Sequence, residues 1–192
     1  MAISNAWTDV DTLEVAASGL TRASTINGML GNQLFLHEAP QVAVRYTRDT
    51  GTIQSAQDTI LGWDEAPWDN FGMWDNSAQT QIVVPRSGLY LINLGVLYQQ
   101  QTDPTDDIRR TYLNVNGDRR RGDSNIAANP HESSTTWVTS LAETDSLTLG
   151  VRQTSGEALT LQPLRTVCVV VWLSEFLRRL RSSDVAHPFP AA

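Results

Sequence analysis

Ile82-Val83-Val84-Pro85-Arg86-Ser87-Gly88-Leu89-Tyr90-Leu91-Ile92-Asn93-Leu94-Gly95-Val96-Leu97-Tyr98 decides the fold. It reads as a short strand, a Pro/Gly turn and a long strand. In a strand, successive side chains point to opposite faces. Tyr90, Ile92, Leu94, Val96 and Tyr98 therefore share one face, and Leu89, Leu91 and Leu97 lie on the other. An antiparallel sheet in a small sandwich ordinarily needs one apolar face. A second apolar face predicts cover from outside the sandwich, most simply from another subunit.

Outward from this stretch the chain keeps to strands and turns. Val42, Val44 and Tyr46 alternate, and Asp58 to Trp63 and Gln79 to Val84 have the composition of short strands. Arg109, Thr111, Leu113 and Val115 share a strand face and run into Asn116-Gly117, a strong hairpin signal. Thr135 to Leu141 reads as a strand. Leu147, Leu149 and Val151 alternate with Thr148, Gly150 and Arg152 in a half-buried strand. Leu164 to Leu173 closes the series and is apolar on both faces, with Leu164, Cys168, Val170 and Trp172 on one and Val167, Val169, Val171 and Leu173 on the other. Eight to ten strands at this spacing predict an all-β sandwich or jelly roll. Trp63 to Asp75 reads instead as an aromatic, acidic, turn-rich connection.

The flanks differ. Residues 1–20 carry few periodic apolar positions and read as an extended arm. From Thr21 to Leu36, Ile26, Met29, Leu30 and Leu34 recur at helical spacing, and Pro40 ends the segment. After Ser174 a short amphipathic stretch leads into a Pro-rich tail with no core-forming pattern. The expected organisation is an N-terminal arm and short helix over 1–40, a sandwich over 41–173 and a C-terminal arm over 174–192.

Composition narrows the function. At 192 residues and 41% apolar content, the chain can bury a sizeable core as one domain with extensions. A net charge of −7 argues against a nucleic-acid partner. No apolar run approaches membrane-spanning length, and the first residues lack the charged start and apolar block of a secretion signal. All 14 basic residues are Arg, which fits a GC-rich genome, and Arg also suits interfaces. The single cysteine, Cys168, lies within an apolar strand and reads as a small buried hydrophobe.

The order of these signals resembles the C1q/TNF-like jelly roll. The matching residues are Phe71-Gly72-Met73-Trp74, the Ile82–Tyr90 stretch, Leu113-Asn114-Val115-Asn116-Gly117, Asp145-Ser146-Leu147-Thr148-Leu149 and the closing apolar strand. Asn32-Gln33-Leu34-Phe35-Leu36-His37-Glu38-Ala39-Pro40-Gln41-Val42 is similar to the segment that precedes this domain in virion proteins of tailed bacteriophages, with Ala39 where those often carry a first Pro. The resemblance implies a homotrimer whose inner sheet combines Val42–Tyr46, Gly88–Tyr98, Thr135–Leu141 and Leu164–Leu173. It implies Leu89, Leu91, Leu97, Val167, Val169 and Val171 at the subunit interface. It implies a structural protein of the virion, decorating the capsid or belonging to the tail or a fibre. The alternative is a module that binds host-surface carbohydrate or protein.

Candidate chemistry is sparse. His37, His131 and His187 match no metal-ligand spacing, and no activated nucleophile is visible. No enzyme, cofactor or metal is therefore expected. Asp103, Asp106 and Asp107 lack the spacing of a calcium loop and read as solvated. Arg121-Gly122-Asp123 spells the integrin tripeptide, a three-residue match of little specificity. Trp63, Trp68 and Trp74 would suit a sugar-binding surface, but large aromatics more often carry packing. For attachment to the virion, Trp7, Leu13 and Val15 supply apolar anchors at the start, and Phe176, Leu177, Leu180 and Phe189 at the end.

Overall fold

The computed structural model of the chain describes residues 39–47, 51–99, 107–120, 124–127 and 132–175. The expected helix over Thr21–Leu36, all seven attachment residues, the three histidines, Asp103, Asp106 and Arg121–Asp123 lie outside the described residues.

The described chain forms two antiparallel sheets. The first has five strands in the order β10 (Glu132–Leu141), β6 (Gly88–Leu97), β13 (Val167–Ser174), β1 (Gln41–Arg45) and β4 (Glu65–Asp69). In the second, β3 (Asp58–Ile60), β11 (Ser146–Gln153), β7 (Asp107–Val115) and β8 (Asp118–Arg120) lie side by side. There β5 (Ile82–Val83) also pairs with β11, and β9 (Ser124–Ala127) with β7. A small pair, β2 (Thr52–Ile53) with β12 (Leu159–Thr160), stands apart.

The alternation along Gly88–Leu97 is realised residue by residue: each even position from Gly88 to Val96 is buried and each odd one half-buried. The buried set, Tyr90, Ile92, Leu94 and Val96, packs with Val42, Val44, Cys168, Val170 and Trp172 against Leu113, Val115, Leu147, Leu149 and Val151 of the second sheet. The predicted inward face of β7 is also present, with Arg109 and Thr111 buried beside Leu113 and Val115. The Arg109 guanidinium lies 5.0 Å from the centre of the Tyr98 ring, so its charge is buried against a π face. Asn116 and Gly117, with φ of 53° and 86°, make the tight turn from β7 to β8. Both values fall in the region that a type I′ turn requires.

Two sequence readings are corrected. The last strand begins at Val167, not Leu164. Leu164 sits in the preceding turn with φ of 62°, is 56% exposed, and donates its N–H to the Tyr46 carbonyl at 2.8 Å. The residues Trp63–Asp75 hold a strand, β4, where a turn-rich connection was expected. Pro67 explains both outcomes, since proline disfavours a strand centre yet is tolerated at a sheet edge. β4 is the edge of its sheet.

Candidate functional site: the uncovered face of the five-stranded sheet

Antiparallel partners project to the same side, so register assigns the face that turns away from the core. Val138, Leu91, Val171 and Gln41 form one row across four strands. Thr136, Asn93, Val169, Ala43 and Trp68 form the next. Ser134, Gly95, Val167, Arg45 and Glu65 form a third. Leu89 and Leu97 lie on the same face opposite Ser140 and Glu132. All six residues assigned to an interface from the sequence, Leu89, Leu91, Leu97, Val167, Val169 and Val171, thus share one surface. Each is half-buried within the protomer.

Charge is kept to the margins of this face. Arg45 and Glu65 pair with each other on the β1 and β4 side of the third row, and Glu132 lies one row beyond, opposite Leu97. Asn93 stands among the apolar groups with its amide N–H₂ donating to Thr136 Oγ1 at 2.8 Å. Trp68 (52% exposed) and Val138 (59%) project from the two edge strands. A charge-free apolar centre with a polar rim is the anatomy of a protein–protein interface. Sequence reasoning did not place Trp68, Ala43 or Val138 here. Trp68 and Ala43 meet through β4, which its Pro67 had concealed, and Val138 is the one apolar residue among Ser134, Thr136 and Ser140 on its face of β10.

The three tryptophans proposed as a sugar surface do not share an exposed surface, although the Trp63 backbone N–H and the Trp74 ring N–H both donate to the Gln79 carbonyl. Trp63 is fully buried in the core. Trp74 packs against that core and donates its ring N–H to the Gln79 carbonyl at 3.3 Å. Only Trp68, of the three, presents a largely exposed ring, and it belongs to the sheet face described above. The acidic residues between them have structural work. Asp69 accepts from the backbone N–H groups of Met73 and Trp74, both at 2.9 Å, and fixes the turn after β4. Asn70 accepts from Gln41 N and donates to the Ala39 carbonyl, each at 2.9 Å, tying that turn to the start of β1.

Two further side chains sit in low-dielectric surroundings. Cys168 is fully buried, and desolvation pushes its thiol far above the usual range. Tyr90 is likewise pushed up, to about 12, by burial, although its hydroxyl donates to the Arg86 carbonyl at 2.6 Å. Among the described residues there is no group of three or more His, Cys, Asp or Glu that could hold a metal ion. No described helix is long and apolar enough to cross a membrane.

No family model matches the sequence, and no curated protein matches it. Solved structures do. The crystal structure of murine APRIL at pH 8.0 superposes with a TM-score of 0.52 over 70% of this chain and 99% of that one, at 17% identity. The same protein at pH 8.5 gives 0.51 over the same shares. The fold is a C1q/TNF-like jelly roll. At this identity the likeness carries the architecture of the jelly roll and stops there. A structure of Eiger TNF from S. frugiperda is similar at a TM-score of 0.47 and 18% identity, covering 78% of this chain and 99% of that one.

Proposed function

We propose that the chain is a non-enzymatic structural protein of a tailed-phage virion, that it acts as a homotrimer, and that its terminal arms fasten it to the capsid or the tail. The observation that carries the trimer is the outer face of the five-stranded sheet, which no described residue covers and whose centre is free of charge. Its three long strands hold ten, ten and eight residues and its two short ones five each. At about 4.8 Å between strands and about 3.3 Å per residue, the face projects roughly 600 Å². That is of the order of the roughly 800 Å² each partner gives to a standard interface. The virion reading is supported by the Asn32–Val42 segment and its resemblance to phage proteins, and by arms that have apolar anchors but no core of their own.

A density map of the intact particle tests the virion reading. Threefold density of jelly-roll size on the capsid or tail is the expected result, and its absence from particles that contain the protein by mass spectrometry contradicts it. Attachment is tested by co-sedimentation with virions lacking the protein. Deleting both Met1–Thr21 and Ser182–Ala192 should leave a trimer that binds poorly. Full occupancy by that truncated form would move attachment to the jelly roll. The competing reading, a host-surface binding module, predicts specific signals on a glycan array from purified protein. The exposed Trp68 ring is the observation that favours it, but covering the sheet face in a trimer removes that ring from solvent.

A further inference from the structure

We infer that Gly95 marks the place where a second copy of this chain approaches the sheet most closely, and that a side chain there would separate assembly from folding. The inference rests on the trimer reading above and specifies where in the face contact is tightest.

Gly95 lies in the interior of β6, a strand flanked on both sides, with Ser134 opposite it on β10 and Val167 on β13. Glycine weakens a strand interior, because it loses more backbone freedom on folding and offers no side chain to pack. Other glycines of this chain have reasons within the protomer. A Cβ on Gly88 would lie 2.1 Å from Trp172 Nε1 and 2.4 Å from the Ser174 carbonyl oxygen. One on Gly150 would lie 2.3 Å from the Tyr112 ring. Gly72, Gly117 and Gly156 have φ of 64°, 86° and 85°, where an L side chain is strained. Gly95 has neither reason. Its φ lies outside that region, and an added Cβ would meet nothing within 4 Å.

The open space above Gly95 is on the outer face, which no described residue covers, since its neighbours Leu94 and Val96 fill the core side. Val167 stands beside it on β13 and Leu97 two residues along β6. In the other direction come the uncharged row of Thr136, Asn93 and Val169 and then, four residues from Gly95, the apolar row of Val138, Leu91 and Val171, so the glycine with Ser134 makes a low point in an uncharged surface. A glycine at such a point permits another backbone or a large side chain to come close. The occupant is a second copy, the partner of the proposed trimer, because the face is of the order of the area that each partner gives to a standard interface. The chain carries −7, so two copies repel over most of their surface. They meet at least cost where neither is charged, and the outward positions of β6 and β13 from Leu89 to Leu97 and Val167 to Val171 carry no charge.

Gly95→Val therefore fits the protomer and clashes with its neighbour in the assembly. Size-exclusion chromatography with light scattering across a dilution series, alongside circular dichroism, tests this on the full chain. The expected result is a folded Gly95→Val protein with wild-type β signal whose assembly is weakened about a hundredfold or more, as overpacking a fitted contact predicts. Gly95→Ala, one methyl larger than wild type, should fall between the two. If Gly95→Val fails to fold, Gly95→Ala decides: folded with measurably weaker assembly supports the inference, and assembly equal to wild type overturns it. A wild-type trimer together with an equally tight Gly95→Val trimer overturns the role of Gly95 and leaves the trimer standing. A wild-type monomer removes both.

Discussion

Leu91 and Val171 sit directly opposite each other on the two central strands of the five-stranded sheet, on the side turned away from the core, while Ile92 and Val170, one residue along each strand, are fully buried. Two apolar pairs back to back in one sheet have no counterpart in a sandwich that is wet on its outer faces. One pair belongs to the protomer and the other to whatever lies against it.

Trp63 belongs to the protomer. Its ring is fully buried between the sheets, so Trp63→Ala should cost about 3–5 kcal/mol of stability. Urea denaturation measures this directly. Unchanged stability with loss of a bound glycan would instead return Trp63 to a sugar surface.

The sheet faces were legible because period-two patterning is strong where strands are long. Gly88–Leu97 and Ser146–Gln153 carry it, and the Asn116-Gly117 turn fixes its own geometry through positive φ at both residues. Short strands were not legible. β4 has five residues with a central Pro67, and its place is set by pairing Ala43 with Trp68 and by the Asp69 and Asn70 side chains, which are long-range facts. Leu164 was misread because its apolarity continues the strand pattern, whereas backbone contact with Tyr46 holds it in a turn. The outer-face site was half visible: Leu91 and Val169 declare themselves by alternation, but Trp68 and Val138 join them only through sheet order.

Thr144 stores strain that can be released. It is exposed, β-branched and held at φ of 71° in the turn that returns from β10 to β11. Its N–H donates to the Val84 carbonyl at 2.8 Å, and Asp145 N donates to the Ala142 carbonyl at 3.1 Å, so the backbone is committed to that shape. Thr144→Gly keeps those bonds and removes the Cβ clash. It should stabilise the protein by about 1 kcal/mol, read as a rise in the urea midpoint. A fall in the midpoint would show that the Thr144 side chain contributes more than its backbone costs.

Alkaline pH should unfold the protein through Tyr90. Burial raises its folded-state value to about 12, above the ordinary phenol value of 10.0. The neutral form is the one the fold accepts, so its contribution is fully present below pH 10 and is lost as pH rises from about 10 towards 12. Tyr112, raised in the same direction chiefly by burial, adds to this loss. Stability measured by urea at pH 9, 10 and 11 should fall across the series. Tyr90→Phe starts lower, because the bond to the Arg86 carbonyl is gone, but should decline less steeply. An equal slope in the two proteins would place the alkaline transition elsewhere.

The central claim is that the outer face of the five-stranded sheet is buried between copies of this chain. Its most direct test is the molar mass of the purified full-length protein at micromolar concentration, by light scattering coupled to size exclusion, for the wild type and for the double variant Leu91→Asp, Val169→Asp. The account predicts three times the 21.2 kDa chain mass for the wild type and monomer or aggregate for the variant, because two carboxylates per copy would be desolvated in an apolar contact. A folded, stable wild-type monomer, or a variant that remains trimeric, would contradict it.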